Sequence, residues 1–308
     1  MTVLMCPGQG AQRVGMGKDL AERFPVARDT FGAIDETLGV PLSRLMWDGP
    51  EDELTLTHNA QPAILAHSAA VWAVVGAKVG TPTLALGHSL GEYSAYVAAG
   101  ALEATSAARL VRRRGELMLD AGSKRPGAMA AVLALDPALV IEACVEASRE
   151  GEVAVAANLN EPGQTVISGD PAAVERAGEG CKARGAKRVI ALKVSGAFHS
   201  PLMTPAVAGL REALAATPFR DPKCPVVANA TAHPVSVASD ATKLLADQLT
   251  SSVRWTDSVR AAGSQAPGAV WLEIGPGAVL SGLLKKIIPG ATATTLGTAD
   301  EVTRFLES

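Results

Sequence analysis

The stretch Thr83 to Gly100, TLALGHSLGEYSAYVAAG, limits what this chain can fold into more than any other. Leu84-Ala85-Leu86 is a short apolar run, Gly87-His88-Ser89-Leu90-Gly91 follows at once, and the small-residue pattern from Glu92 to Ala99 reads as a helix. A strand that turns into a helix across G-x-S-x-G fits a nucleophile elbow, where the turn is so tight that its neighbours can carry almost no side chain. Ser89 then stands at a helix N-terminus, where unpaired backbone N–H groups and the helix dipole favour negative charge.

At 308 residues the chain can bury a large core, as one big domain or two unequal ones. Its residues are 48% hydrophobic but only 4% aromatic, and 30 are glycine, which suits close helix-on-sheet packing and predicts an α/β fold. A net charge of −3 offers no basic field for nucleic acid. Cys6, Cys144, Cys181 and Cys224 are scattered without a C-x-x-C pair, so neither a disulfide framework nor a metal site is expected, and buried thiols suit a cytoplasmic protein. No basic leader precedes the first strand, which argues against a secretory signal. The longest strongly apolar segment, Ala69 to Ala77, falls short of the ~20 residues a membrane span needs, so no membrane association is expected.

Taken in order, Thr2 to Cys6 reads as a buried strand running into Pro7-Gly8-Gln9-Gly10-Ala11-Gln12, whose glycines permit close backbone approach. This loop lacks the third glycine of the dinucleotide fingerprint, and Gly17-Lys18 lacks the rest of a P-loop. Its backbone donors therefore need a use other than phosphate. Helices are predicted over Asp19–Leu38, broken at Pro25, over the nearly all-apolar Gln61–Lys78, and over Ser106–Leu119. The last carries Arg112, Arg113 and Arg114, which differ by about 100° each and cannot share a face, so at least one points somewhere less exposed.

From Ala128 the pattern spells strand (128–135), helix (137–149), strands (153–158 and 165–168), helix (171–184) and strand (188–194). That is βαββαβ, the ferredoxin-like order, and such a unit begins and ends close enough together to be inserted into a larger sheet. The expected division is an α/β-hydrolase-like catalytic domain with a parallel sheet at 1–125 and 197–308, and an inserted ferredoxin-like small domain at 126–196, with Gly122 to Gly127 as the hinge. The large domain resumes with helices at Pro201–Ala216 and Ala241–Leu249, strands at Val226–Asn229 and Ala269–Ile274, and an edge strand within Ala291–Thr298.

A serine hydroxyl is a weak nucleophile at neutral pH and needs a base within hydrogen-bond reach. His88 adjoins Ser89 but leaves the backbone in another direction, which makes it a wall of the site, and His58, His67 and His233 read as core or surface residues. His199 lies in Ser195-Gly196-Ala197-Phe198-His199-Ser200-Pro201, where the insert returns to the large domain and a helix begins, and is the candidate base. No acidic residue in an obvious strand-end loop completes the order Ser, Asp, His, so an amide or a backbone carbonyl is left to orient the base of a Ser/His dyad.

These pieces occur in a fixed order with others: Pro7 to Gln12, Gly87 to Ala95, Arg114-Gly115, Asn158-Leu159-Asn160-Glu161-Pro162-Gly163-Gln164, Ala197 to Ser200, Gln248 before Trp255-Thr256, and Glu273-Ile274-Gly275-Pro276-Gly277. The sequence closely resembles the malonyl-CoA:acyl carrier protein transacylases from about Val3 to Leu284. The resemblance implies a free-standing acyltransferase of fatty acid or polyketide synthesis that forms a malonyl-Ser89 ester by ping-pong chemistry. It makes His199 the proton acceptor and donor, Gln248 the acceptor that orients His199 by side chain or backbone, and the N–H groups of Gln9 and Leu90 the oxyanion hole. It makes Arg114 the receptor for the malonyl carboxylate and places Phe198, where a phenyl ring crowds an α-methyl group, with His88 and Asn160 around the substrate. No bound cofactor and no metal are implied; the substrates are malonyl-CoA and a phosphopantetheinylated acyl carrier protein. An acidic carrier has candidate contacts in Lys182, Arg184, Lys187 and Arg188 or in Lys285 and Lys286. Monomer is the expected state. The rival readings are a serine esterase or thioesterase, against which Arg114 and the Gln9 loop speak, and a silent docking subunit that keeps only the fold.

Overall fold

The computed structural model describes residues 1–308. Strand β1 (Thr2–Cys6) is buried from Val3 onward and is followed by helices α1 (Lys18–Arg23) and α2 (Pro25–Leu38), which part at Phe24 because Pro25 takes the first position of the second helix. Two short helices that no periodicity announced come next, α3 (Leu42–Asp48) and α4 (Glu51–Thr55).

Helix α5 (Thr57–Val79) begins four residues before the expected start and holds Pro62 inside it. Proline cannot donate to the carbonyl of His58, and Arg112 takes that carbonyl instead, its Nη1 donating at 3.2 Å. An 18-residue stretch of the 23-residue α5 has a mean hydropathy of 1.4, so the helix is long and apolar enough to cross a membrane, contrary to the expectation that no segment reaches that length. The helix lies inside the fold, where it packs against α2 and the later α7 (Ala104–Lys124), and 61% of that stretch is buried.

The elbow strand β2 (Leu84–Gly87) and helix α6 (Gly91–Ala98) precede α7. Helix α7 runs through Lys124, so the expected hinge loses its first half to the helix. Gly122 is needed there because a Cβ would lie 2.2 Å from the carbonyl oxygen of Ser195, where the chain returns.

The next elements are β3 (Ala128–Leu133), α8 (Pro137–Ala147), β4 (Ala154–Glu161), β5 (Gln164–Gly169), α9 (Pro171–Ala183) and β6 (Arg188–Ala191). They form an antiparallel sheet in the order β4-β5-β3-β6, the ferredoxin-like arrangement, with β6 shorter than the periodicity suggested. Helices α8 and α9 cover one face around Val132, Val140, Ile167 and Val174. On the sheet's other face, Met129 and Val166 join the main core of the molecule.

The remaining elements are α10 (Thr204–Ala216), β7 (Val226–Val227), β8 (Pro234–Val235), α11 (Ala238–Asp247), α12 (Trp255–Gln265), β9 (Val270–Ile274), α13 (Val279–Ile287), β10 (Ala293–Leu296) and α14 (Ala299–Glu307). Helices α12, α13 and α14 add to those expected. The large sheet runs β10-β9-β1-β2-β7-β8, parallel throughout except for the antiparallel edge strand β8. Helices flank such a parallel sheet, and β1 and β2 are accordingly continuous apolar runs. The fold is α/β with a second, antiparallel sheet, and Ser89 follows a central strand at its carboxyl end, where α/β sheets place their chemistry.

Candidate active site

Ser89 has φ of +50°, a left-handed conformation that a side-chain-bearing residue holds only under constraint. The constraint is visible on both sides. A Cβ on Gly87 would lie 2.0 Å from the carbonyl of Gly91, and one on Gly91 would lie 2.0 Å from the oxygen of Cys6, so β1, β2 and α6 close on one another through two glycines. Asn229, just past β7, stitches the turn: its Oδ1 accepts the Ser89 N–H at 2.6 Å and its Nδ2 donates to Gly87 O at 2.7 Å.

The hydroxyl this turn presents meets His199, with Ser89 Oγ 2.7 Å from Nε2. The other ring nitrogen, Nδ1, is 2.9 Å from the backbone carbonyl of Gln248. A carbonyl only accepts, so Nδ1 carries the proton, Nε2 is free to accept, and Ser89 donates to it. His199 is 4% exposed, and burial together with the charge of Arg114 lowers its pKa to about 3. It is a neutral base across the physiological range.

Arg114 is the buried member of the arginine triplet at 1% exposure, whereas Arg112 is partly buried and Arg113 exposed. Its Nη1 donates to Gln61 Oε1 at 2.6 Å, and its Nη2 donates to Gln248 Oε1 at 2.8 Å and to Ser89 Oγ at 3.2 Å. Tyr93 stacks under the guanidinium, 5.5 Å from ring centroid to Cζ. A guanidinium carries five N–H donors, and the two amide oxygens take two of the four on Nη1 and Nη2. The others are one on Nη1 and the one aimed at Ser89 Oγ. Gln61 also donates to Thr57 Oγ1 at 2.9 Å, and Thr57 donates to Gln9 Oε1 at 2.9 Å, which ties Arg114 to the glycine loop after β1.

That loop lies against the elbow so closely that a Cβ on Gly8 would sit 2.3 Å from the carbonyl of His88. The N–H groups of Gln9 and Leu90 have no acceptor within the protein. Two free donors beside a serine, one at a helix N-terminus, can stabilise an oxygen that gains negative charge. His88 turns away from the hydroxyl, with Nε2 2.8 Å from Asn160 Oδ1, and Asn160 donates to Gln164 Oε1 at 3.0 Å. Burial lowers the pKa of His88 as well. Ser89, His199, Arg114, Gln9, Leu90, Phe198, His88 and Asn160 all line one cavity of about 380 Å³, walled by the large domain on one side and by Met129 and Val166 of the small sheet on the other.

This constellation can be compared with known proteins. The profile of the acyl transferase domain family matches residues 3–306. A malonyl CoA-acyl carrier protein transacylase of Bacillus subtilis (strain 168) is 47% identical over 281 residues, covering 91% of this chain and 88% of the relative. The chain belongs to the malonyl CoA-acyl carrier protein transacylase family. The Escherichia coli (strain K12) member is 43% identical over 304 residues, covering 98% of this chain and 97% of its own length. Among solved structures, an acyl carrier protein S-malonyltransferase from Vibrio cholerae O1 biovar eltor matches with a TM-score of 0.94 at 40% identity over 99% of both chains. The same score, at 42% identity and the same coverage, is found for a malonyl-transacylase in complex with its type II polyketide synthase acyl-carrier protein.

Within this transacylase fold, Gln248 plays two parts through different atoms: its main chain faces His199, and its side chain bridges Arg114 and Glu92. Three polar residues of the site escaped the sequence reading: Gln61, Asn229 and Glu92. Gln61 and Glu92 left a trace, each a long polar side chain in an otherwise apolar or small-residue helix, where burial demands a partner.

Proposed function

We propose that this transacylase moves a malonyl group from malonyl-CoA to the phosphopantetheine thiol of an acyl carrier protein through an ester on Ser89. The observation that carries the reading is that one hydroxyl is hydrogen-bonded at once to a neutral buried histidine and to a buried arginine. Ser89 Oγ attacks the thioester carbon as its proton passes to His199 Nε2, and the oxyanion is received by the N–H groups of Gln9 and Leu90. Collapse breaks the C–S bond, and His199 returns the proton to the departing coenzyme A sulfur. The carrier thiol then gives its proton to His199 and attacks the ester, reversing the sequence.

Arg114 is the receptor for the free malonyl carboxylate. Once Ser89 is acylated, the N–H formerly aimed at Oγ and the spare one on Nη1 form a fork for a carboxylate. Phe198, at the cavity wall beside His199, crowds an α-substituent and favours malonyl over larger analogues. The inserted small domain, residues 126–196, supplies the wall against which the pantetheine arm lies, and four free, buried cysteines suit an enzyme of the cytoplasm.

Intact-mass analysis after incubation with malonyl-CoA tests this reading. The expected outcome is a malonyl adduct on the native chain, absent in Ser89→Ala and discharged by a phosphopantetheinylated carrier protein. Release of free malonate without adduct or transfer would instead identify a hydrolase.

A further inference from the structure

Glu92 follows the elbow on the first turn of α6, is fully buried, and has no place in the proton transfers above. Its Oε2 accepts from Gln248 Nε2 at 2.7 Å and from the N–H of Asn229 at 3.0 Å. Both donors belong to residues that hold the nucleophile: Gln248 Nε2 also donates to Ser89 O at 3.1 Å, and Asn229 binds the Ser89 N–H. With its nitrogen committed to Glu92, the Gln248 amide can only turn its oxygen toward Arg114. A buried cation and a buried carboxylate thus face each other across one amide.

We infer that Glu92 is the counter-charge of Arg114, relayed by the Gln248 amide, and that it positions the carboxylate receptor and makes malonyl binding compete with that buried charge. The inference rests on the malonyl-transfer reading. Arg114 balanced by an ionised Glu92 gives a neutral pair, so an incoming malonyl carboxylate leaves one excess negative charge in a water-poor site. Uptake of one proton by Glu92 removes that excess. The protonated form is within reach, since burial raises the carboxyl to about 7 against the lowering effect of its two hydrogen bonds and Arg114.

The other titratable groups of the cluster keep their charge near neutrality. On α6, burial pushes the hydroxyls of Tyr93 and Tyr96 up, away from ionisation. His199, from the loop before α10, stays neutral above about 3, and burial lowers His88 beside the elbow. Arg114 on α7 is lowered by burial but remains a guanidinium. Glu92 is therefore the group that titrates between pH 6 and 9. Acetyl-CoA, which has no carboxylate to compete but the same coenzyme phosphates, is the internal control.

The expected result is that the KM for malonyl-CoA, relative to that for acetyl-CoA, rises about fivefold from pH 6 to pH 9 as Glu92 ionises. In Glu92→Gln, which keeps an acceptor oxygen but loses the charge, that ratio becomes independent of pH. A merely structural Glu92 would instead change kcat for both substrates and leave the pH dependence of the ratio in place. Should Glu92→Gln fail to fold, calorimetry on Ser89→Ala at pH 7 in buffers of different ionisation enthalpy decides: malonyl-CoA binding takes up a fraction of a proton, and acetyl-CoA binding takes up none. A flat ratio in the native enzyme, a rise that survives in Glu92→Gln, or malonyl binding without proton uptake overturns the inference. Absence of malonyl transfer by the native enzyme would refute the functional reading instead.

Discussion

Replacing Arg114 with alanine separates the two substrates that the site has to tell apart. On the proposed reading the malonyl carboxylate gains two charge-assisted hydrogen bonds from the Arg114 guanidinium, which is 1% exposed. Taken at the low end of ~1.5–3 kcal/mol each, these are worth about 3 kcal/mol net. At 1.36 kcal/mol per decade, Arg114→Ala should lower kcat/KM for malonyl-CoA relative to acetyl-CoA by roughly two orders of magnitude. The substitution also strands Gln61 Oε1 and Gln248 Oε1, at about 1–3 kcal/mol of stability for each acceptor left dry, offset in part by removal of a desolvated cation. A lowered Tm is therefore expected alongside the altered preference, and only the preference tests the carboxylate role. A second signature comes from His199, whose low pKa owes part of its shift to Arg114: the alanine variant should bring the histidine back toward 6.5. The assay is steady-state transfer from each acyl-CoA to one phosphopantetheinylated carrier protein, run from pH 5 to 8. An unchanged malonyl-to-acetyl ratio, or an equal loss on both substrates, would refute the argument.

Other consequences are open to direct measurement. If His199 is the base as proposed, its reactive form is the neutral imidazole, and with its pKa lowered to about 3, kcat for acyl transfer should show no inflection near 6.5 as pH falls from 8 to 5; a half-loss at that pH would mean the histidine is not shielded as described. Gly91→Ala puts a methyl group 2.0 Å from the oxygen of Cys6 and should destabilise the fold by about 3 kcal/mol or more. Gly282→Ala, on α13 with open space around it, should be neutral or slightly stabilising; similar melting shifts for the two would contradict the packing of the elbow.

What the sequence decided alone was local. Strand, turn and helix around Ser89 follow from an apolar run, two glycines and a small-residue helix, because the steric demands of a tight turn act between residues a few positions apart. The βαββαβ insert is legible for the same reason, since each of its elements is long enough to show its period. The burial of one of three consecutive arginines also follows from helix geometry, although which one does not. Short helices such as α3 and α4 left no readable period, whereas the nearly all-apolar run of α5 reads as a central buried helix and is one, its length alone being underestimated.

The site's wiring belonged to the tertiary structure. His199 reaches Ser89 across 110 residues, Asn229 across 140 and Gln248 across 159; His199 and Gln248 stood out in the sequence as candidates, but Asn229 did not, and no spacing in the chain shows which atoms meet. The sequence left open whether Gln248 meets His199 by its side chain or its backbone; the fold brings the main-chain carbonyl to Nδ1, and because a carbonyl is present at every position only folding could select it. The same holds for Glu92 and Gln61: a buried polar side chain announces that a partner must exist, and the packing of α5, α6 and α7 around the elbow decides which partner it is.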